Sequence, residues 1–438
     1  MFETIVGAFK VKDMRKRLLF TFLMLIVVRM GSQLPVPGVD PDVFKEMFGN
    51  VGDSMNFFNS ITGGSFEQMS IFALNITPYI TASIIIQLLT ISFPKLEEMQ
   101  RDGEDGRKKL TQITRYLTIG LSVIEGLAMG IGFGRNGYLT EYNALYVIIL
   151  IAALTAGSAV LMWIGERITE RGVGNGISIV LIINILSRLP QDLNSLFEQF
   201  VSGRSAAPAV LAAIVIIGII VGLVILVVIL QCAERKIPVQ YSKKLQGSRS
   251  FTGAQSTYIP LKVNTGGVIP VIFAQSIMQT PVIIAALAGA NNAGGFWGGV
   301  LRGLSQSNWF NRDNWIYSIG AAVYILLIIA FAYFYSSITF NPLEIADNMK
   351  KSGGFIPGIR PGKPTSEYLQ TVLSRIIFIG AVGLSIVSIL PIMLNGLFKA
   401  SVSFGGTSII IIVGVVVETL KQIESQMMVR NYKGFLSE

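Results

Sequence analysis

The chain has no histidine and a single cysteine, Cys232, among its 438 residues. Without imidazole, the zinc, haem and His-based iron sites lose their usual ligands, and with one thiol no internal disulfide can close. The same absences remove every Ser/His/Asp or Cys/His nucleophile pair, so an enzyme built on this sequence would need lysine or carboxylate chemistry. No such constellation is visible, and the residues imply neither a metal nor a cofactor. Charge is also scarce. Asp, Glu, Lys and Arg make up 14% of the chain against 51% hydrophobic residues, with a mean hydropathy of +0.60. A water-soluble particle of this size would expose far too much apolar surface, so the solvent for most of the chain is lipid.

A transmembrane helix needs about 20 mostly apolar residues. Runs of that kind, bounded by charge, Pro or Gly, lie at 18–36, 76–93, 112–133, 144–164, 177–190, 208–232, 267–288, 315–339, 373–395 and 405–424. They predict an all-α polytopic membrane protein with ten spans. The fifth run is short and the second opens on Thr77-Pro78, so both are expected inside the bundle rather than against lipid. Pro35-Val36-Pro37-Gly38 follows the first run where a signal-peptide cleavage site would need small residues, and that run is read as a retained span.

Lys and Arg gather in alternate loops: Lys10 to Arg17, Arg101 to Lys109, Arg235 to Arg249, and Lys350 to Lys363. The positive-inside rule makes that side the cytoplasm. Over whole loops, 27 of the 35 basic residues fall there and 8 on the other side, which predicts both termini in the cytoplasm. Two long basic loops, about 233–266 and 340–372, are punctuated by Gly and Pro and read either as a docking surface or as solvated connectors. Split near residue 200, the spans form two blocks, 1–200 and 201–438, of opposite topology, the arrangement of inverted repeats.

Ionisable residues inside the spans are few. Arg29, Glu125 and Glu418 are the clearest, each near a span end or within snorkelling reach of one. A secondary transporter, the principal rival reading, needs a polar midplane site, and a membrane-embedded transferase needs converging carboxylates or bases. Gly362-Lys363-Pro364-Thr365 is faintly like the end of a phosphate loop, but Pro364 stands where Ser or Thr is needed and no strand precedes it. Any energy source therefore lies elsewhere.

Five segments carry a family resemblance. GGSFEQMSIFALNITPYITASIIIQLL, from Gly63 to Leu89, is similar to the plug and second span of the SecY family, and ERGVGNGISI, from Glu170 to Ile179, resembles its entry to the fifth span. AQSTYIPLKVNTGGVIPVIFAQSI (Ala254 to Ile277), KSGGFIPGIRPGKPTSEYL (Lys351 to Leu369) and FGGTSIII (Phe404 to Ile411) agree in family order.

The resemblance implies two inverted pseudo-symmetric five-helix halves around an hourglass pore that conducts unfolded polypeptides. It assigns a hydrophobic collar to Ile80, Ile84, Ile177, Leu181, Ile272 and Ile411, although the family more often has isoleucine where Leu181 stands. Ile80 with Ile84, and Ile177 with Leu181, are four apart and share a helix face. A narrow aliphatic ring blocks ions by dewetting and yields around a passing chain. A short plug helix is expected at about 63–74. There Gly63 and Gly64 turn the chain, Ser65 caps, and Phe66, Met69 and Leu74 make apolar contact without a lock of charge. The family opens sideways between its second and seventh spans, which places Thr81, Ser83, Gln87 and Gln275 at a lateral gate or in ordinary interhelical hydrogen bonds. Arg360 matches a docking residue, with Arg235, Lys236, Lys243, Lys244 and Arg249 as companions. The implied partners are the SecE and SecG subunits, the SecA ATPase, the ribosome, signal-bearing client polypeptides and lipid of a bacterial inner membrane.

Overall fold

A computed structural model of the chain describes residues 7, 9–39, 59, 62–135, 137, 139, 141–202, 206–241, 257–287, 295–311, 315–398 and 406–434. A helix carries each of the ten apolar runs. They are α1 (Lys12–Gly31), α2 (Thr77–Ser92), α4 (Gly103–Arg135), α5 (Ala144–Arg171), α6 (Gly176–Phe200), α7 (Ala206–Cys232), α8 (Ile269–Leu287), α10 (Ile319–Thr339), α12 (Lys363–Phe398) and α13 (Gly406–Gly434). Shorter helices α3 (Pro94–Arg101), α9 (Gly295–Leu304) and α11 (Pro342–Lys351) lie between them, with strands β1 (Glu234–Tyr241), β2 (Thr257–Lys262) and β3 (Gly354–Phe355).

Six of the described helices are long and apolar enough to cross a membrane, and the count is seven if α2 and α3, bent by 109°, are taken as one broken span. The bend has a local cause. Phe93 is extended and Pro94 opens α3, as expected where the proline ring crowds the preceding residue out of the helical region. The fifth span is longer than its apolar run: α6 continues past Pro190 into the polar stretch that ends at Phe200. Proline removes one backbone donor, and here the helix absorbs that loss. On α7 the residues Val210, Leu211, Ile214, Ile217, Val221, Ile225 and Ile229 are all exposed, while Leu223 and Val227 are buried. An outer helix apolar on its free side belongs in hydrocarbon, and the chain is a multi-pass membrane protein.

Packing repeats along the chain. In the first five spans α1 packs on α5 and α6, α2 on α4 and α5, α4 on α5, and α5 on α6. In the second five α7 packs on α12 and α13, α8 on α10 and α12, α10 on α12, and α12 on α13. Each pair in one set thus has its counterpart five spans on in the other. Between the sets α6 packs on α13 and α7, and α4 touches α8. Close approach depends on small residues, as is usual for helices in lipid. A methyl group at Gly176 would run into the carbonyl of Gly165, and one at Gly165 would lie 2.9 Å from the Ile177 side chain.

The two basic segments expected as separate loops fold together. β1 pairs antiparallel with β2 over Glu234 to Val239 and, at its far end, with β3 through Gln240 and Tyr241. One sheet face and the two helices beside it bury Ile237, Val239, Leu261, Met349, Ile356 and Leu369 in a common core. Asn341 starts α11 by accepting from the backbone N–H groups of Leu343 and Glu344 at 3.2 and 3.4 Å.

Candidate functional site

The seam between the two sets of five holds an apolar cluster. Leu181 and Ile185 of α6 are buried against Ile411 and Val415 of α13, with Ile80 of α2 and Ile272 of α8 packed on them. Four helices, two from each set, therefore meet through branched aliphatic side chains. The helix ends are set by local sequence. Asn175 caps α6, its side chain accepting from Ile177 and Ser178 N–H at 3.1 and 3.4 Å, which fixes the phase that brings Leu181 to the seam.

Of the six residues assigned to a collar, Ile80, Leu181, Ile272 and Ile411 lie in this cluster. Ile84, one turn further along α2, and Ile177 do not. Ile177 sits on the first turn of α6 and packs instead with Val28, Phe72, Leu161 and Ile164 inside the first set. Ile185, Val268, Ile412 and Val415, unassigned from sequence, join the cluster. Ile185 was reachable from Leu181 by helical spacing, and Val415 from Ile411.

Beside the cluster, residues 63–76 form successive turns rather than the expected short helix. Gly63 and Gly64 have φ of +66° and +84°, and Met69 and Asn75 also lie at positive φ, +44° and +53°, so no helical stretch can run through them. Ser65 accordingly caps nothing; it is buried, and its carbonyl accepts from the Ser70 N–H at 2.9 Å. Phe66, Met69 and Leu74 are buried with Val36, Leu150 and Leu154. The segment is pinned to the end of the first span by a bridge between Pro35 and Ser70, with Val36 N–H donating to the Met69 carbonyl and Ile71 N–H to that of Leu34, both at 2.9 Å.

Contrary to the sequence reading, charge does hold this segment. Arg188 Nη1 lies 2.7 Å from Glu67 Oε2, and Asn59 Nδ2 donates to the same oxygen at 2.6 Å. The Gly63 carbonyl accepts from Arg29 Nη1 and from the Ser187 hydroxyl, each at 3.4 Å. The ion pair joins residues 121 apart in the chain, beyond the reach of pattern reading.

The polar residues assigned to a lateral gate divide. Thr81 turns its hydroxyl back to the Thr77 carbonyl of its own helix at 3.0 Å, and Ser83 and Gln87 are half-buried on α2. Gln275 makes the interhelical hydrogen bonds that were the alternative to a gate role. It is 2% exposed and points into its own half, donating to Gln306 Oε1 at 3.1 Å and accepting from the Tyr324 and Thr407 hydroxyls at 3.1 and 3.3 Å. An amide in an apolar bundle seeks such partners, and these all lie in the second set of helices. Among the described residues α2 and α8 share no extended packing, and α4 touches both.

On the sheet unit Arg235, Lys236 and Arg360 are exposed, while Lys243, Lys244 and Arg249 lie outside the described residues. Lys236 stands 4.7 Å over the Tyr258 ring and 3.5 Å from Glu234. Tyr258, and after it Glu234, hold its ammonium above the ordinary lysine range. The Thr365 hydroxyl donates to the Arg360 carbonyl at 2.9 Å, between two glycines, Gly358 and Gly362, at positive φ.

Comparison with known proteins follows the same lines. The family model described as SecY matches residues 70–420. The protein translocase subunit SecY of Streptomyces galbus is 45% identical over 452 residues, covering 100% of both chains. That of Bacillus subtilis (strain 168) is 45% identical over 449 residues with the same coverage. Among solved structures, a protein conducting channel superposes with a TM-score of 0.64 at 19% identity, over 94% of this chain and 92% of that one. Sec61 in the canine ribosome-channel complex from the endoplasmic reticulum gives 0.62 at 18%, with the same coverage. These structural likenesses speak for a shared fold of ten helices. With a family model across most of its length and relatives matched end to end, the chain belongs to the SecY family.

Proposed function

We propose that the chain is a passive, gated protein-conducting channel, which passes unfolded polypeptides across the membrane and releases transmembrane segments sideways into lipid. The observation that carries this reading is the aliphatic cluster at the seam, where Ile80 and Leu181 of one set of helices meet Ile272 and Ile411 of the other. A transporter would place polar ligands for its solute there, whereas a cluster without directional bonds parts and closes around side chains of any chemistry. The residues 1–200 and 201–438 are the two halves, a division supported by the repeated packing of five spans on five.

In this reading the turn segment at 63–74 is the plug, and α2 and α8, which share little contact among the described residues, are the two sides of the lateral exit. The sheet unit, with Arg235, Lys236 and Arg360, faces the cytoplasm of a bacterial cell together with both termini. Its basic surface suits the phosphates of ribosomal RNA and the acidic surface of a motor. Ribosome binding is supported by the ribosome-bound Sec61 relative, and SecE, SecG and SecA complete the set of partners. The chain supplies a path and catalyses no covalent chemistry; the motor or polypeptide synthesis supplies the energy.

The test is a photo-crosslinking residue at position 411 or 181 during translocation of a stalled, signal-bearing client. Crosslinks to the client from both positions, lost when the client is released, are expected. Saturable carriage of a small solute without client crosslinks would overturn the assignment.

A further inference from the structure

We infer that Glu67 and Arg188 form the latch of the 63–74 segment, through which parting of the collar releases the plug. The inference rests on the plug reading above and concerns what holds that plug in place. Leu181, Ile185 and Arg188 are spaced four and three apart on α6 and share one helix face. The first two lie in the seam cluster, and the third carries the charge that grips Glu67 at 2.7 Å. One stripe of a single helix therefore serves both the collar and the plug.

The segment's other ties differ: two backbone hydrogen bonds at 2.9 Å join it to Leu34 and Val36 at the end of the first span, away from α6, and the rest are looser. Burial of Phe66, Met69 and Leu74 is non-directional and tolerates sliding. The Gly63 carbonyl is held at 3.4 Å by Arg29 and Ser187, distances at the long end for hydrogen bonds. The Glu67 carboxylate is fixed more closely, by the Arg188 guanidinium and by Asn59 at 2.6 Å, while the Glu67 N–H donates back to Asn59 Oδ1 at 3.3 Å. The pair is partly withdrawn from solvent, the Arg188 side chain 15% and the Glu67 side chain 32% exposed. Separating such a pair leaves each charge poorly solvated, so the latch resists small fluctuations. A client chain that spreads the cluster pushes α6 outward, moves Arg188 with it and lengthens the ion pair. Once that pair is broken, what remains on the segment is apolar contact, the long hydrogen bonds at Gly63 and the backbone hydrogen bonds to Leu34 and Val36 at its other side.

The experiment is single-channel conductance of the full chain in planar lipid bilayers. It compares the native protein with Glu67→Gln, Arg188→Gln, the exchanged pair Glu67→Arg with Arg188→Glu, and a deletion of residues 63–72. Each single variant is expected to raise the open probability about tenfold, and the exchanged pair to bring it back toward the native value. Single variants as tight as the native protein would overturn the latch, as would an exchanged pair no tighter than the single variants, since packing alone would then explain both residues. If the deletion opens the channel while Glu67→Gln stays tight, the latch fails and the plug stands. If the deletion itself is silent, the plug reading fails and takes the latch with it. Should Arg188→Gln not fold, Glu67→Gln, whose altered side chain is the more exposed of the two, decides alone.

Discussion

Asn184 donates from Nδ2 to the Oδ1 of Asn75 at 3.0 Å, with both residues buried. Asn75 closes the turn segment in a left-handed conformation, which asparagine adopts more readily than most residues, and its carbonyl accepts from the Ser158 hydroxyl at 3.3 Å. A single side chain and its backbone thus tie the head of α2 to α5 and α6.

Asn184→Ala removes that donor from a buried carbonyl oxygen. The expected cost is about 1–3 kcal/mol of stability, read as a lowered midpoint of thermal unfolding in detergent. A midpoint equal to that of the native protein would show that the pair carries no net stability.

Gly63→Ala places a Cβ 2.5 Å from the Asn184 carbonyl oxygen and 2.8 Å from its Cα, at a φ of +66°. The turn has to move, at a cost of about 1–3 kcal/mol. Because the shift pulls on the segment beside the aliphatic cluster proposed as the collar, the variant is expected to leak ions in a liposome flux assay. A sealed, fully stable Gly63→Ala protein would mean that the turn relaxes without disturbing its neighbours.

The spans were legible because uninterrupted apolar runs have few other physical explanations; the residues of the seam cluster came instead from the family resemblance, and helical spacing alone did not separate Ile80 from Ile84 or Leu181 from Ile177. What was not legible is non-local. Glu234 to Val239 pairs with Thr257 to Lys262 across a long intervening segment, so short strands in a basic stretch read as loop. For Gln275 the sequence left a gate role and ordinary interhelical hydrogen bonding both open, since nothing in it says that Tyr324, Thr407 and Gln306 converge on that amide. The expected plug helix failed on conformation: the sequence marks Gly63 and Gly64 as turn residues, but positive φ at Met69 and Asn75 belongs to the tertiary setting.

Gln275→Leu separates the two roles considered for that residue. It strips an acceptor from two buried hydroxyls, and the expected result is a loss of about 1–3 kcal/mol in unfolding stability with no change in the rate at which a client span partitions into lipid. Altered partitioning at unchanged stability would return Gln275 to the gate.

Leu181→Asn combined with Ile411→Asn puts two amides into the cluster from opposite halves. Polar side chains wet a hydrophobic constriction, so the membrane potential is expected to fall faster during client passage than in the native protein. Leu181→Ile, which conserves volume, is expected to seal normally.

The central claim, a plugged and collared polypeptide channel, is tested most directly by ion conductance of the reconstituted full chain before and after deletion of residues 63–72. The account predicts a tight native protein and a deletion that flickers open. Two equally silent proteins, with saturable transport of a small solute instead, would contradict it.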